Sequence, residues 1–226
     1  YFRSAHALRV AASEVTGALP LMKVSDYLTD LAEVALEQVL RFAWQQLVSK
    51  HGYPVGPGGE PEQEPQFLIV GYGKLGGIEL SHGSDLDLVF VHGGDSSRQT
   101  DGPKPLDTGI FYTRLGQRII HILDSRMPSG KLYEVDMRLR PNGEAGMLVT
   151  SLSALEKYLK NDAWTWEHQA LVRARVVAGP EALAQEFAKV RRDSLCQHRD
   201  PETLRREVLA MREKMREHLA TKGKSA

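Results

Sequence analysis

The chain has 226 residues, 42% apolar and 26% charged, with a formal net charge of zero and a single cysteine. That is enough chain for one large domain, or for a catalytic domain with a helical appendage. The neutral balance argues against a binder of duplex nucleic acid, which carries a basic surplus. Cys196 alone excludes an internal disulfide and a thiolate metal site, and it fits a free thiol in a reducing cytoplasm.

No apolar stretch approaches the ~18 residues of a membrane span, and no signal peptide is visible. The sequence opens at Tyr1 in a helical pattern and stops at Ala226 soon after another. It therefore reads as part of a longer protein.

Residues 1–18 have helix-forming composition, and Leu19-Pro20 breaks the run. Ser25 is a candidate N-cap for a long second helix. Leu28, Leu31, Ala35, Val39, Phe42 and Leu47 give that helix an apolar face, and Gly52 ends it. Residues 52–66, GYPVGPGGEPEQEPQ, read as a flexible connection and a boundary. The expected division is a helical segment over 1–51, a linker over 52–66, a core over 67–150 and a helical region over 151–226.

Within the core, Phe67–Val70 and Leu86–Val91 read as buried strands, residues 93–109 as a loop and Ile110–Leu123 as a helix. Lys131–Arg140 alternates, with Leu132, Tyr133, Val135, Met137 and Leu139 mainly on one side. Glu134, Asp136, Arg138 and Arg140 fall on the other, the pattern of a half-buried strand. Pro141-Asn142-Gly143 is a turn. From Leu152 onward the pattern is mostly helical, with a break at Gly179-Pro180. Leu204, Val208, Met211, Met215 and Leu219 form a packing stripe in the last helix.

The stretch FLIVGYGKLGGIELSHGSDLDLVF, residues 67–90, carries the chemistry. Gly71, Gly73 and Gly76 make a G-x-G-x-x-G frame, the fingerprint of a dinucleotide cradle. That cradle needs a crossover helix of a dozen or so residues before the next parallel strand. Only IELSHG lies between Gly77 and Ser84, and the acids open the second strand instead of closing it. The context is wrong for a dinucleotide site.

A metal site explains more. Asp85 and Asp87 would share one face of a strand, about 7 Å apart along the backbone. Such a pair can converge on divalent cations together with substrate phosphates. Two ions about 4 Å apart can clamp the attacking and leaving oxygens of an in-line displacement. Asp136, on the polar side of its own strand, is the natural third acid. Standing alone, a D-x-D pair is more often just an exposed strand face. A glycine-rich loop ahead of it, which lets backbone N–H groups approach phosphate, shifts the balance.

Gly73-Lys74, ten residues, then Asp85-Leu86-Asp87 resembles the nucleotidyltransferase superfamily of polymerase beta and the antibiotic nucleotidyltransferases. Lys74 stands where that pattern has Ser or Gly, so an ammonium point charge replaces a small residue there. A narrower resemblance covers nearly the whole chain. VGYGKLGGIELSHGSDLDLVF, YEVDMRLRPNGEAGMLVTS and NDAWTWEHQALVRARVV are similar to the glutamine synthetase adenylyltransferase family. LRVAASEVTGALPLMKVSDYLT and AWTWEHQALVRARVV are similar to its C-terminal, AMP-adding half.

The resemblance implies an α+β fold: a polymerase-beta-like mixed sheet with flanking helices and a C-terminal helical region. It implies transfer of AMP from ATP to a tyrosine of glutamine synthetase in the cytoplasm, with Mg²⁺ held by Asp85, Asp87 and Asp136. Gly73, Lys74, Gly76, Gly77, Ser84, Arg138 and Arg140 would contact nucleotide or phosphate. Asp136 is either a metal ligand or the base for the attacking hydroxyl. Arg138 and Arg140 either meet phosphates or pair with Glu134 and nearby acids.

Glutamine and a PII signalling protein are the implied regulators, and neither nucleic acid nor membrane is an expected partner. Trp164, Trp166, Glu167, Arg173 and Arg175 are placed in one helix, the tryptophans as packing anchors. His82 is structural or solvated. Three alternatives stand beside this reading: phosphorolytic removal of AMP, a non-catalytic nucleotide-sensing module, and transfer to a small molecule.

Overall fold

The computed structural model describes residues 1–126, 128 and 130–222. The chain begins with two helices, α1 (Phe2–Val15) and α2 (Leu21–His51). Pro20 starts the second: its carbonyl accepts the Val24 N–H at 3.2 Å, while its own missing N–H costs the helix nothing. Ser25, the expected cap, therefore lies one turn inside. Gly52 ends α2 at a φ of 78°, a conformation that costs glycine nothing.

The sheet follows. β1 (Phe67–Gly71) and β2 (Leu86–His92) pair antiparallel, Phe67 opposite His92 and Gly71 opposite Leu88. Between them lies a single helical turn, α3 (Gly73–Gly76). A βαβ dinucleotide unit needs parallel strands, so this pairing removes that reading.

α4 (Thr108–Asp124) packs on α2, and two short strands then line up along the far side of β2. β3 (Val135–Asp136) runs parallel to its first residues, and β4 (Val149–Ser151) runs parallel to its last three. β5 (Arg175–Ala178) closes the other edge against β1, giving the order β3-β2-β1-β5 with β4 also on β2.

α5 (Leu152–Asn161), α6 (Thr165–Leu171), α7 (Glu181–Leu195) and α8 (Pro201–Lys222) complete the described chain. The fold is thus α+β around a five-stranded mixed sheet, as the resemblance implies.

Strand alternation sorts the core into two layers. Phe67, Ile69, Leu86, Leu88 and Phe90 meet Leu36, Leu40 and Trp44 of α2 and Phe111, Tyr112, Leu115 and Ile119 of α4. Leu68, Val70, Val89 and Val91 meet α5, α6 and α7 through Leu155, Leu159, Leu171, Leu183 and Phe187. A sheet covered on both faces has continuous apolar strands, which is why FLIV and LVFV carry no polar alternation.

Three expectations need correction. The 52–66 stretch is pinned, not loose. Tyr53 N–H donates to Asp101 Oδ1 at 2.7 Å, Glu62 N–H to the Pro54 carbonyl at 2.8 Å, and the Tyr112 hydroxyl to Glu62 at 2.9 Å.

Lys131–Arg140 is not one long strand, because only Val135–Asp136 enters the ladder. Asp136 Oδ1 accepts the Arg138 N–H at 2.8 Å, a local bond that bends the chain out of the sheet. Arg140 holds the bend by donating to the carbonyls of Met137 at 2.8 Å and Glu144 at 2.9 Å.

Finally, the region after Leu152 is interrupted by β5, and Val149–Ser151 ahead of it is also a strand. Arg173 lies just past α6 and Arg175 opens β5, so neither shares a helix with Trp166 and Glu167.

In α8, Leu204, Val208 and Met211 are half-buried as the stripe predicts. The side chains of Met215 and Leu219 lie outside the described part. Among the described residues no helix is long and apolar enough to cross a membrane.

Candidate active site

The site forms where the leading end of β2 emerges from both core layers. β2 is buried from Leu88 to His92, but Asp85 is exposed just before the strand and Asp87 is half-buried. Alternation from Val89 and Val91 puts Asp87 on the α5–α7 face, in the part those helices leave uncovered. The parallel partner β3 sets Asp136 directly beside Asp87 in register. Asp87 and Asp136 thus stand side by side at one end of this strand pair, with Asp85 just ahead of it.

Their electrostatics are unfavourable by themselves. The Asp87 carboxyl is held above its ordinary range, first by burial, then by the charges of Asp85 and Asp136. Arg138 and Lys74 oppose the rise. Asp136 moves the other way, mainly because Arg138 hydrogen-bonds its carboxylate. Arg138 Nε lies 3.0 Å from Oδ1 and 2.8 Å from Oδ2, and a guanidinium NH₂ also reaches Oδ2.

Partly buried, like-charged oxygen donors are the chemistry that suits a hard divalent cation. The residues present fit one, although among the described residues no three such side chains already converge as a metal cluster. The third acid is occupied by Arg138. The cleft bounded by Asp85, Asp136, Arg138, Arg140 and Glu144 has a volume of about 530 Å³.

The glycine loop closes the other side. Tyr72 N–H donates to the Asp87 carbonyl at 2.9 Å, which ties the loop to β2. Gly73 has a φ of 51°, and a Cβ there would sit 2.2 Å from Asp87 Oδ2. Only glycine lets the backbone pass this close to the carboxylate. Gly76 is equally constrained, since its Cβ would lie 1.9 Å from the Arg173 carbonyl.

The Gly76 and Gly77 N–H groups donate within the loop, to Tyr72 and Gly73. The N–H groups of Gly73, Lys74 and Leu75, in the first turn of α3, have no intrahelical acceptor. Gly76 and Gly77 therefore contribute close packing, and the amides left for an anion come from the start of the turn. Ile78, a β-branched residue at a φ of 58°, marks strain where the loop leaves α3.

Lys74 is exposed and close enough to Asp87 to stabilise its charge. Ser84 is turned inward to its own loop: its Oγ accepts the Ser81 N–H at 3.2 Å and lies 2.9 Å from Ser81 Oγ. Arg140 is committed to backbone carbonyls. Arg138 is the arginine beside the acids. His82 pairs with Glu14 of α1 at 2.9 Å, a structural contact.

Two supports escaped the sequence reading. Arg175 donates to the Leu75 carbonyl at 3.1 Å and ion-pairs with Glu33 of α2, so it braces the glycine loop from behind. Its signal was the β-branched pair Val176-Val177 ahead of Gly179-Pro180, a strand pattern. Tyr158 donates its hydroxyl to Glu167 at 2.7 Å and accepts the Asn142 N–H at 3.2 Å, linking the turn after Arg140 to α6. Nothing in local sequence marks that link.

Comparison with known proteins identifies relatives of the chain. The family described as glutamate-ammonia ligase adenylyltransferase matches residues 1–190. A bifunctional glutamine synthetase adenylyltransferase/adenylyl-removing enzyme of Pseudomonas syringae pv. tomato is 60% identical over 98% of this chain and 22% of its own length. Proteins of the same name from Pseudomonas putida and Pseudomonas aeruginosa are 59% and 58% identical over 100% of the chain and 23% of their own lengths. The chain thus spans under a quarter of these relatives. The matched residues 1–190 cover most of the chain, and with these relatives they show that it belongs to the glutamate-ammonia ligase adenylyltransferase family.

Proposed function

We propose that this chain transfers AMP from ATP to a tyrosine hydroxyl of glutamine synthetase, releasing pyrophosphate, in the cytoplasm. The observation that carries the reading is the end of β2. Asp85 and Asp87 stand beside a glycine turn, and Asp136 is placed in register by a parallel strand. This donor set suits a magnesium-bound triphosphate and has no evident use in packing. The family membership and the relatives' names supply the protein substrate.

In this reading Asp85 and Asp87 hold Mg²⁺. When bound, the metal offsets charge on the triphosphate and on the leaving pyrophosphate. The open amides of the α3 turn and Lys74 hold phosphate oxygens, and Gly73 keeps the backbone close. Tyrosine ionises near pH 10, so its hydroxyl needs help at neutral pH. Asp136 supplies that help, as a ligand beside the nucleophile or as acceptor of its proton. Residues 67–150 form the catalytic core of this assignment, with the helices on either side available for protein recognition. Control by glutamine and a PII protein is assigned to the longer protein.

The relatives' names contain both addition and removal of AMP, so phosphorolysis at the same site is the second reading. In that direction phosphate would take the place of the tyrosine oxygen. The test is transfer of label from α-labelled ATP with Mg²⁺ onto unmodified glutamine synthetase, beside Asp85→Asn/Asp87→Asn. Label on the protein that the variant cannot place supports addition. Label released from adenylylated glutamine synthetase in phosphate, with none added, supports removal. ATP bound without either reaction would favour a sensing module.

A further inference from the structure

We infer that Arg138 is a handover residue: it masks Asp136 in the nucleotide-free site and moves to the substrate's phosphates when metal and nucleotide arrive. The inference rests on the metal-dependent reading above and adds an order of events to it.

Three observations carry it. First, both oxygens of Asp136 are engaged by the one arginine. Arg138 Nε lies within 3.0 Å of each, and its backbone N–H is 2.8 Å from Oδ1. A cation approaching Asp136 meets a guanidinium already there. The register places Asp136 beside Asp87, so this guanidinium stands where a cation shared by the two acids would approach.

Second, the two partners sit in different surroundings. The Asp136 side chain is 14% exposed and the Arg138 side chain 71% exposed. The acid is fixed and the arginine can swing. An ion pair whose cation stands in solvent is held less tightly than one buried on both sides.

Third, the contacts separate naturally. The backbone N–H of Arg138 can keep holding Oδ1 while the guanidinium leaves, so Asp136 stays oriented and its Oδ2 becomes free. The released guanidinium remains beside Asp87 and over the cleft that Asp85 and Asp136 line. A planar fork there suits a phosphate better than a lysine would.

The consequence is an ordered site. Without nucleotide, Arg138 competes with metal for the third acid and keeps divalent-ion affinity low. With the triphosphate bound, the arginine has a better partner and the acid is released to the ion. Binding of metal and nucleotide are therefore coupled through one side chain.

The test measures Mn²⁺ binding by electron paramagnetic resonance on the 226-residue chain, with and without a non-hydrolysable ATP analogue. Arg138→Gln should tighten nucleotide-free Mn²⁺ binding by roughly fivefold, the size of an exposed ion pair. The same variant should weaken binding of the analogue. Arg138→Lys, which keeps the charge and loses the fork, should fall between. In Asp136→Asn, adding Arg138→Gln should produce no gain, because no carboxylate remains to unmask. Circular dichroism checks that each variant is folded.

Mn²⁺ affinity unchanged or weakened in Arg138→Gln, with the wild type still binding Mn²⁺ through Asp85 and Asp87, would overturn the handover and leave the metal site standing. No Mn²⁺ bound by any variant, with or without the analogue, would overturn the metal site itself and the handover with it.

Discussion

The two ends of β2 are built on opposite principles. At its last residues, Phe90–His92, the strand lies between β1 and β4, is fully buried, and is fixed by aromatic packing. His92 stacks on Tyr112 with ring centroids 4.9 Å apart, and Tyr112 in turn contacts Trp44 and Phe67. At its first residues the strand leaves the core and carries like charges that burial makes worse. A strand held firmly at one end can present an unfavourable charge cluster at the other. The stability of the apolar half supports the strain of the polar half, as expected where function costs stability.

The largest expected effect comes from the polar end. On the proposed assignment, Asp85→Asn or Asp87→Asn should lower AMP transfer about a thousandfold or more, the several kcal/mol that loss of a metal clamp would remove from transition-state stabilisation. Asp87→Asn should also raise the melting temperature of the metal-free protein. The sign follows from linkage. The folded Asp87 keeps its proton to higher pH than the unfolded chain does, so ionising it above that range costs stability. Its half-exposure keeps the gain small. A variant that lost both activity and stability would remove the contrast between the ends.

Gly76→Ala tests the glycine loop beside the polar end. Its new Cβ would sit 1.9 Å from one backbone carbonyl and 2.6 Å from another, neither the flexible tip of a side chain. Chemical denaturation should show a loss of about 3 kcal/mol or more. Unchanged stability would show that the loop can shift.

The apolar end should reveal itself at low pH. Burial lowers the His92 pKa to about 4, and its Nδ1 is buried with no partner among the described residues. His92 therefore folds neutral. Its contribution is fully present above pH 6.5 and is lost as pH falls towards 4, up to about 3 kcal/mol. His92→Phe should flatten that acid limb and leave stability near pH 7 little changed. An acid limb identical in both proteins would contradict the assignment.

The smallest effect is expected from Tyr158→Phe, which breaks the link between the Asn142 turn and Glu167. A loss of about 1 kcal/mol in urea unfolding is the usual size for one hydrogen bond. Transfer activity should fall only slightly, because Arg140 still ties the turn through its own carbonyl contacts.

What could be read from the sequence follows the same division. FLIV and LVFV are strands because continuous β-branched and aromatic runs have few other homes, and α2 and α4 declare themselves by period. The spacing of Asp85 and Asp87 suggested one strand face, but β2 begins at Leu86 and Asp85 lies just ahead of it. The position of Asp136 was legible only in part. Its alternating neighbours suggested a long strand, whereas its own side chain captures the Arg138 N–H and ends the ladder after Val135–Asp136.

β5 was hidden by the helical residues around it and is made by pairing with β1, a contact 100 or so residues away in sequence. The grip of Arg138 on Asp136 and the bracing of the glycine loop by Arg175 depend on tertiary placement. No spacing rule encodes either.

The most direct test of the central claim is a crystal structure of the chain with Mn²⁺ and a non-hydrolysable ATP analogue, with the metal located by anomalous scattering. Anomalous peaks are expected at bonding distance from carboxylate oxygens of Asp85 and Asp87, with triphosphate oxygens on the same ions and the Asp136 carboxylate turned towards them. Nucleotide bound elsewhere, or nucleotide in the cleft with no metal at Asp85 and Asp87, would contradict the claim.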